Sequence, residues 1–205
     1  MFVRSTSQSS AFSCVPLAAL VWPSRADAAS RALRAALLIA AGTALLTLSA
    51  KIYLALPYVP MTLQTLAVLM IGAAYGWRLG TATVMAYLAE GALGLPVFAG
   101  PIGGLAPFVG PTAGYLVGFL VAAGITGYLS ERGWDRSIAR LFMAMAVGHL
   151  AILGLGFGWL ALGMGLGFEK AWLVGIAPFI AASLIKNALG AAAIPAFRRL
   201  LHREG

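Results

Sequence analysis

The side chains able to do chemistry in this sequence are few, and they stand in apolar surroundings. Lys186 is the most demanding of them. It lies in the run 177–190, which continues apolar to Ile194 and carries a single ammonium. A lysine more than a turn inside a lipid-length apolar segment costs roughly 2.5–3.5 kcal/mol, so it needs a counter-charge, water or a ligand. Pairing with Glu90 or snorkelling would satisfy it structurally; a bound acceptor would satisfy it functionally. Glu90 is the other ionisable group inside an apolar segment, with Gln64, Ser183 and Asn187 as uncharged polar companions. His149 and His202 stand alone, and His149 reads as a hydrogen-bonded packing residue rather than a ligand.

Other chemistries are excluded by what the chain lacks. No Gly-x-x-x-x-Gly-Lys-Ser/Thr string occurs, so the chain does not hydrolyse ATP itself. No His/Cys/Asp/Glu cluster has metal-ligand spacing, no cofactor is called for, and Cys14 has no partner for an internal disulfide. Two intramembrane charges are thin for an ion-coupled pump, which needs a relay of carboxylates or broken helices around an ion.

The elements that must position these groups are membrane helices. The chain is 61% hydrophobic and only 10% charged, with a mean hydropathy of +0.92. Soluble domains carry about 25% charged residues. An all-α integral membrane protein is the expectation, because lipid removes the need for a charged surface.

Residues 1–30 are Ser/Ala-rich with Arg4 and Arg25 and lack a long apolar run. They read as a disordered tail or an over-extended start, with a secretory signal as the alternative, and the fold is assigned to residues 31–205. Six spans are expected, at about 33–50, 62–75, 79–95, 113–129, 138–158 and 179–197. In the first, Ala32, Ala36, Ala40 and Ala44 recur every fourth residue. They make one smooth helix face, suited to packing within the chain or to docking a partner. Pro57 and Pro60 forbid a helix between Lys51 and Met61. The stretch 94–111 holds four prolines and five glycines with almost no polar side chains, unlike an aqueous loop, so a ligand-lining role is open to it. Gly110, Gly114 and Gly118 are spaced for close helix contact, and Thr62 and Thr112 suit helix N-caps.

An even number of spans puts both termini on one side. That side collects Arg4, Arg25, Arg31, Arg34, Arg78, Arg132, Arg136, Arg140, Arg198, Arg199 and Arg203, against Lys51 and Lys170 opposite. The bias makes both termini cytoplasmic and accounts for the net charge of +8 through topology and the lipid bilayer rather than nucleic acid. Gln64, Glu90, the 96–111 loop, Ser183 and Lys186 then all fall toward the outer side. They can converge on one apolar-walled cavity whose ammonium favours a ligand with a carboxylate or other strong acceptor.

Several blocks resemble a known family. They are 60–65 (Pro-Met-Thr-Leu-Gln-Thr), Tyr87-Leu88 with Gly91, 94–100 (Gly-Leu-Pro-Val-Phe-Ala-Gly), Gly103-Gly104, 110–119 (Gly-Pro-Thr-Ala-Gly-Tyr-Leu-Val-Gly-Phe), and Pro178-Phe179-Ile180 with Lys186. In this order and spacing they resemble the BioY family, the biotin-capturing S components of energy-coupling-factor (ECF) vitamin transporters, over about residues 33–200. The resemblance implies six membrane helices, an outward-facing biotin pocket roofed by loops, no enzymatic activity, and residence in the cell membrane. It implies as partners a transmembrane coupling protein, docked on the Ala32–Ala44 face, and two ATP-binding-cassette ATPases. Biotin's rings would pack on walls including Tyr87, Phe98 and Tyr115, its polar ends held by Lys186, Ser183, Gln64 and loop backbone near Gly103 and Gly104. The family pattern Pro-Phe-x-x-Gly-Asp-x-x-Lys is departed from here: Ser183 stands for the Asp and Ala182 for the Gly. Glu90 is the expected substitute carboxylate. An S component for another small vitamin or acid, an independent secondary transporter, and a membrane-embedded enzyme are the alternative readings.

Overall fold

The computed structural model describes residues 16–22 and 27–201, without the side chains of Ala19, Leu20 and Leu201. Most of the tail assigned to residues 1–30 therefore lies outside the described residues. Where residues within that tail are described, they are helical: a short helix α1 (Leu17–Val21) buries Leu17 in the core. Arg34 donates to its Ala18 carbonyl at 2.8 Å.

Helix α2 (Ala28–Lys51) starts at Asp27, whose carboxylate accepts from the Ser30 amide at 2.8 Å and caps it. The segment after Lys51 holds no helix, as its two prolines require. Two short strands, β1 (Tyr53–Leu54) and β2 (Met61–Thr62), pair antiparallel, with Tyr53 opposite Thr62. Helix α3 (Gln64–Tyr75) is capped by Leu63 rather than Thr62, although the Thr62 hydroxyl accepts from the Gln64 amide at 3.3 Å. Gly76 alone separates α3 from α4 (Trp77–Ala92). Its φ of +82° lets the chain reverse in one residue. Glu131 accepts from the Trp77 amide at 3.1 Å, placing a carboxylate at the α4 N-terminus.

The loop after α4 contains a four-residue helix, α5 (Ala106–Val109), where an irregular path was expected. Helix α6 (Ala113–Glu131) follows, then a 3-10 turn (Trp134–Arg136) and α7 (Ile138–Gly158). Thr112 flanks α6, but its hydroxyl donates back to Pro107 O at 3.0 Å instead of capping the helix. The end of α7 widens into a π-turn, Trp159–Gly163. Trp159 Nε1 donates from there to Gly110 O at 2.9 Å, pinning the start of α6. Helix α8 (Phe168–Gly175) leads into α9 (Phe179–Leu201), tied at its far end by an Arg198–Asp135 ion pair.

Four of the described helical stretches are long and apolar enough to cross a membrane: Ala28–Lys51, Ala113–Glu131, Ile138–Gly163 and Phe179–Leu200. Helix α3 is apolar but has only 12 residues, and α4 has 16. Helix α3 is among the most enclosed elements, burying Gln64, Ala67, Val68, Leu69, Ile71, Gly72 and Ala73. The α6–α7 contact rests on the glycines whose spacing suggested it. A Cβ on Gly114 would collide with Leu155 O, and one on Gly118 would lie 2.7 Å from Ile152 Cα. Gly110 does not take part; it ends α5.

Lys51 closes the architecture at one end. Its ammonium donates to Pro96 O (2.5 Å), Phe98 O (2.8 Å) and Gly100 O (2.7 Å), using all three of its N–H groups on the Pro/Gly loop.

Candidate binding site

Helices α3, α6, α7 and α9 enclose a cavity of about 310 Å³, roofed by the hairpin segment 58–62 and the loop 98–112. The volume sits at the low end of the roughly 300–1,000 Å³ usual for small-molecule sites. Its walls are mostly apolar, including Leu116, Phe119, Ile152, Leu153 and Phe179, with a few polar groups between them.

Lys186 enters from the middle of α9, 9% exposed. Its Nζ donates to Thr62 O at 2.6 Å and Thr65 Oγ1 at 3.0 Å. The first of these exists because the chain pauses as a strand at Thr62 before α3 begins, leaving that carbonyl turned toward α9. No carboxylate of the described residues forms an ion pair with Lys186, so neither Glu90 nor any other acid neutralises it. Two of three N–H groups are occupied and one remains for a ligand. Ser183 lies one turn earlier on the same helix and also lines the cavity.

Gln64, 4% exposed at the start of α3, borders the cavity and donates through Nε2 to Tyr87 Oη at 2.7 Å. Tyr87 in turn donates to Val97 O at 2.9 Å. Tyr87 is therefore a strut behind the wall, fully buried, rather than part of the surface. It braces Phe98 edge-on, with ring centroids 5.5 Å apart, and Phe98 does line the cavity. Gly91 makes room for that ring, since a Cβ there would overlap Phe98 Cζ. Tyr115 lines the opposite wall, its ring against Gly156 and its hydroxyl donating to Gly175 O at 2.8 Å.

Lys186, Ser183, Gln64, Phe98 and Tyr115 thus come together. Four of the expected residues, Tyr87, Glu90, Gly103 and Gly104, are not among those that line the cavity. Glu90 does not line the cavity; it lies one turn beyond Tyr87, half-buried at the end of α4. Gly103 and Gly104 do not line it either: Gly103 packs on the carbonyls of Gly94 and Leu95, and the Gly104 amide donates to Gly91 O at 2.8 Å. The loop contributes instead through Phe98, Ala99, Ile102, Ala106, Pro107 and Gly110. His149, read from the sequence as a hydrogen-bonded packing residue, lies on α7, is bonded to Asn187 and is also one of the cavity-lining residues. No metal-binding group of three or more His, Cys, Asp or Glu side chains occurs among the described residues.

Ala32, Ala36, Ala40 and Ala44 are all exposed, a continuous strip on the outside of α2 flanked by exposed Leu33, Leu37, Leu45 and Leu48.

Comparison with known proteins gives this geometry a family. The model of the BioY family matches residues 23–203. This chain belongs to the BioY family. The biotin transporter BioY of Rhizobium etli is 40% identical over 172 residues, covering 80% of this chain and 89% of the relative. The probable biotin transporter BioY of Pyrococcus horikoshii is 39% identical over 151 residues, covering 74% and 88%. A solved structure of the S-component for biotin from an ECF-type ABC transporter matches with a TM-score of 0.75 and 25% identity, over 85% of this chain and 95% of that one. The fold is that of an ECF S component, mostly helical, with four helical stretches of membrane-crossing length among the described residues. Its last helix carries Lys186, with Ser183 three residues before it.

Proposed function

We propose that this chain is the substrate-capture subunit of a biotin transporter, taking external biotin into the Lys186 cavity and delivering it inward with an ECF coupling protein and two ABC ATPases. The observation that carries this reading is an ammonium with a donor to spare, held without a carboxylate inside a small apolar cavity, in a chain whose relatives are biotin transporters. Biotin has the complementary build: an apolar thioether ring and aliphatic chain between two polar ends, a cyclic urea and a carboxylate, each with strong acceptors. Its rings pack between Phe98 and Tyr115, and Lys186, Ser183 and Gln64 meet its polar ends.

Six spans complete the topology. Helices α3 and α4 rise about 18 and 24 Å at 1.5 Å per residue, short of a hydrocarbon core of about 30 Å. Burial of α3 and the hairpin before it support a full crossing, since irregular backbone is tolerated at membrane depth where protein covers it. The arginines at 31, 34, 78, 132, 136, 140, 198 and 199 against Lys51 and Lys170 support cytoplasmic termini in the cell membrane. The cavity then opens outward, and loop 96–111 closes over bound biotin.

Equilibrium binding of labelled biotin to the purified chain tests the reading. Saturable binding at nanomolar to micromolar biotin is the expected result, and its absence would overturn the assignment. A second reading, an S component for another small acid, is favoured only by Ser183, whose hydroxyl is neutral where a carboxylate would be charged.

The exposed alanine strip is the docking face for the coupling protein. Ala40→Trp would place an indole on a surface that needs close helix approach. Biotin binding is expected to stay within about twofold of wild type, while co-purification with the coupling protein and ATP-driven uptake fall at least about tenfold. Unchanged uptake would move the docking face elsewhere.

A further inference from the structure

Among the described residues that line the cavity, His149 has a buried ring nitrogen with no hydrogen-bond partner. His149 is 3% exposed and is one of the residues that line the cavity. Its Nδ1 lies 2.5 Å from Asn187 Oδ1. An amide oxygen can only accept, so Nδ1 carries the proton, and the other nitrogen of the neutral ring is left with a lone pair. That nitrogen, Nε2, is buried and has no partner among the described residues. Gln64 donates to Tyr87, and Lys186 has already placed two of its three N–H groups.

Asn187, which orients the imidazole, is the residue next to Lys186 on α9. One turn of one helix therefore sets up a spare N–H on Lys186 and, through Asn187, a spare lone pair on His149. A cyclic urea presents the matching pair, a carbonyl oxygen with an N–H beside it. We infer that His149 Nε2 accepts a ureido N–H of bound biotin while Lys186 donates to the ureido oxygen, with Asn187 holding the imidazole in the accepting tautomer. His149 then supplies the acceptor that Ser183 offers only as a hydroxyl, and that Glu90, which does not line the cavity, does not offer there. This assignment rests on the biotin reading above and deepens it by naming the group that recognises the ligand's N–H edge.

Mono-N-methylated biotins provide the test, since methylation removes one ureido N–H at a time. Wild type is expected to bind one of the two N-methyl biotins at least about tenfold more weakly than biotin, the equivalent of about 1.4 kcal/mol. His149→Phe, which keeps a ring but no acceptor, is expected to lose at least about tenfold in biotin affinity and to lose the discrimination with it. His149→Gln, which restores an acceptor oxygen, recovers part of both. The inference is overturned if wild type binds biotin and both N-methyl biotins equally well, a result that needs no variant to fold. It is equally overturned if folded, monodisperse His149→Phe keeps wild-type affinity or wild-type discrimination. Absence of any biotin binding by wild type removes the functional reading and this inference together, whereas tight biotin binding with indifference to N-methylation removes only the inference.

Discussion

Lys186→Met is expected to weaken biotin binding about a hundredfold while leaving the protein folded. Charge-assisted hydrogen bonds contribute about 1.5–3 kcal/mol each, and about 2.7 kcal/mol corresponds to a factor of a hundred. Methionine has nearly the same length and fills the same channel between α9 and α3, so the wall is kept and only the ammonium is lost. The fold does not suffer in proportion. An unpaired lysine in an apolar span opposes insertion, and removing it offsets the two hydrogen bonds it makes to Thr62 O and Thr65 Oγ1. Lys186→Arg is expected to bind poorly as well, because a planar, longer guanidinium cannot put one donor at the same point while reaching both threonines. Titration calorimetry gives the affinity and a detergent melting curve gives the fold. Wild-type affinity in a well-folded Lys186→Met protein would take the ammonium out of the site.

The second large effect is structural. Gly118→Val is expected to abolish the recovery of monodisperse protein, because its Cβ would lie 2.7 Å from Ile152 Cα and 3.2 Å from Ile152 O, against backbone that cannot rotate away. Overpacking of this kind costs typically about 1–3 kcal/mol even where side chains yield. Here α6 and α7 would have to separate. That separation also reaches the site, since Tyr115 on α6 lies against Gly156 on α7. Gly154→Ala and Gly158→Ala are the matched controls: a Cβ at either meets nothing within 4 Å, and both are expected to behave as wild type. Size-exclusion profiles after extraction separate the two cases. A normal profile for Gly118→Val would mean that α6 and α7 are not held this closely.

These two predictions also mark where the sequence was informative. The spacing of Gly114 and Gly118 identified a close helix contact because helical periodicity puts residues four apart on one face. Lys186 stood out because an ammonium is conspicuous among apolar residues, and Gln64, Ser183, Phe98 and Tyr115 fell within blocks of family-like sequence. What the sequence does not carry is side-chain direction. Glu90 is at a suitable depth on α4, but depth along a helix says nothing about which neighbour its side chain meets. Tyr87 is one turn away and points into the wall, bonded to Gln64 and Val97. Gly103 and Gly104 are in the right loop, yet their backbone is turned onto the α4 end. His149 is not legible as a cavity residue, because a single imidazole has no spacing to read. Its meaning comes from Asn187, 38 residues later.

Lys51 was equally opaque, reading only as a positive charge at a membrane boundary. Its three bonds join the start of the β1–β2 hairpin to carbonyls 45 to 49 residues further on. The two covers of the cavity, hairpin and Pro/Gly loop, come from distant parts of the chain and would otherwise have independent freedom to swing. Sharing one ammonium, they form a single mechanical body with one hinge motion between them. On the proposed function, a ligand leaving the cavity past either cover would have to break or carry along this shared tie.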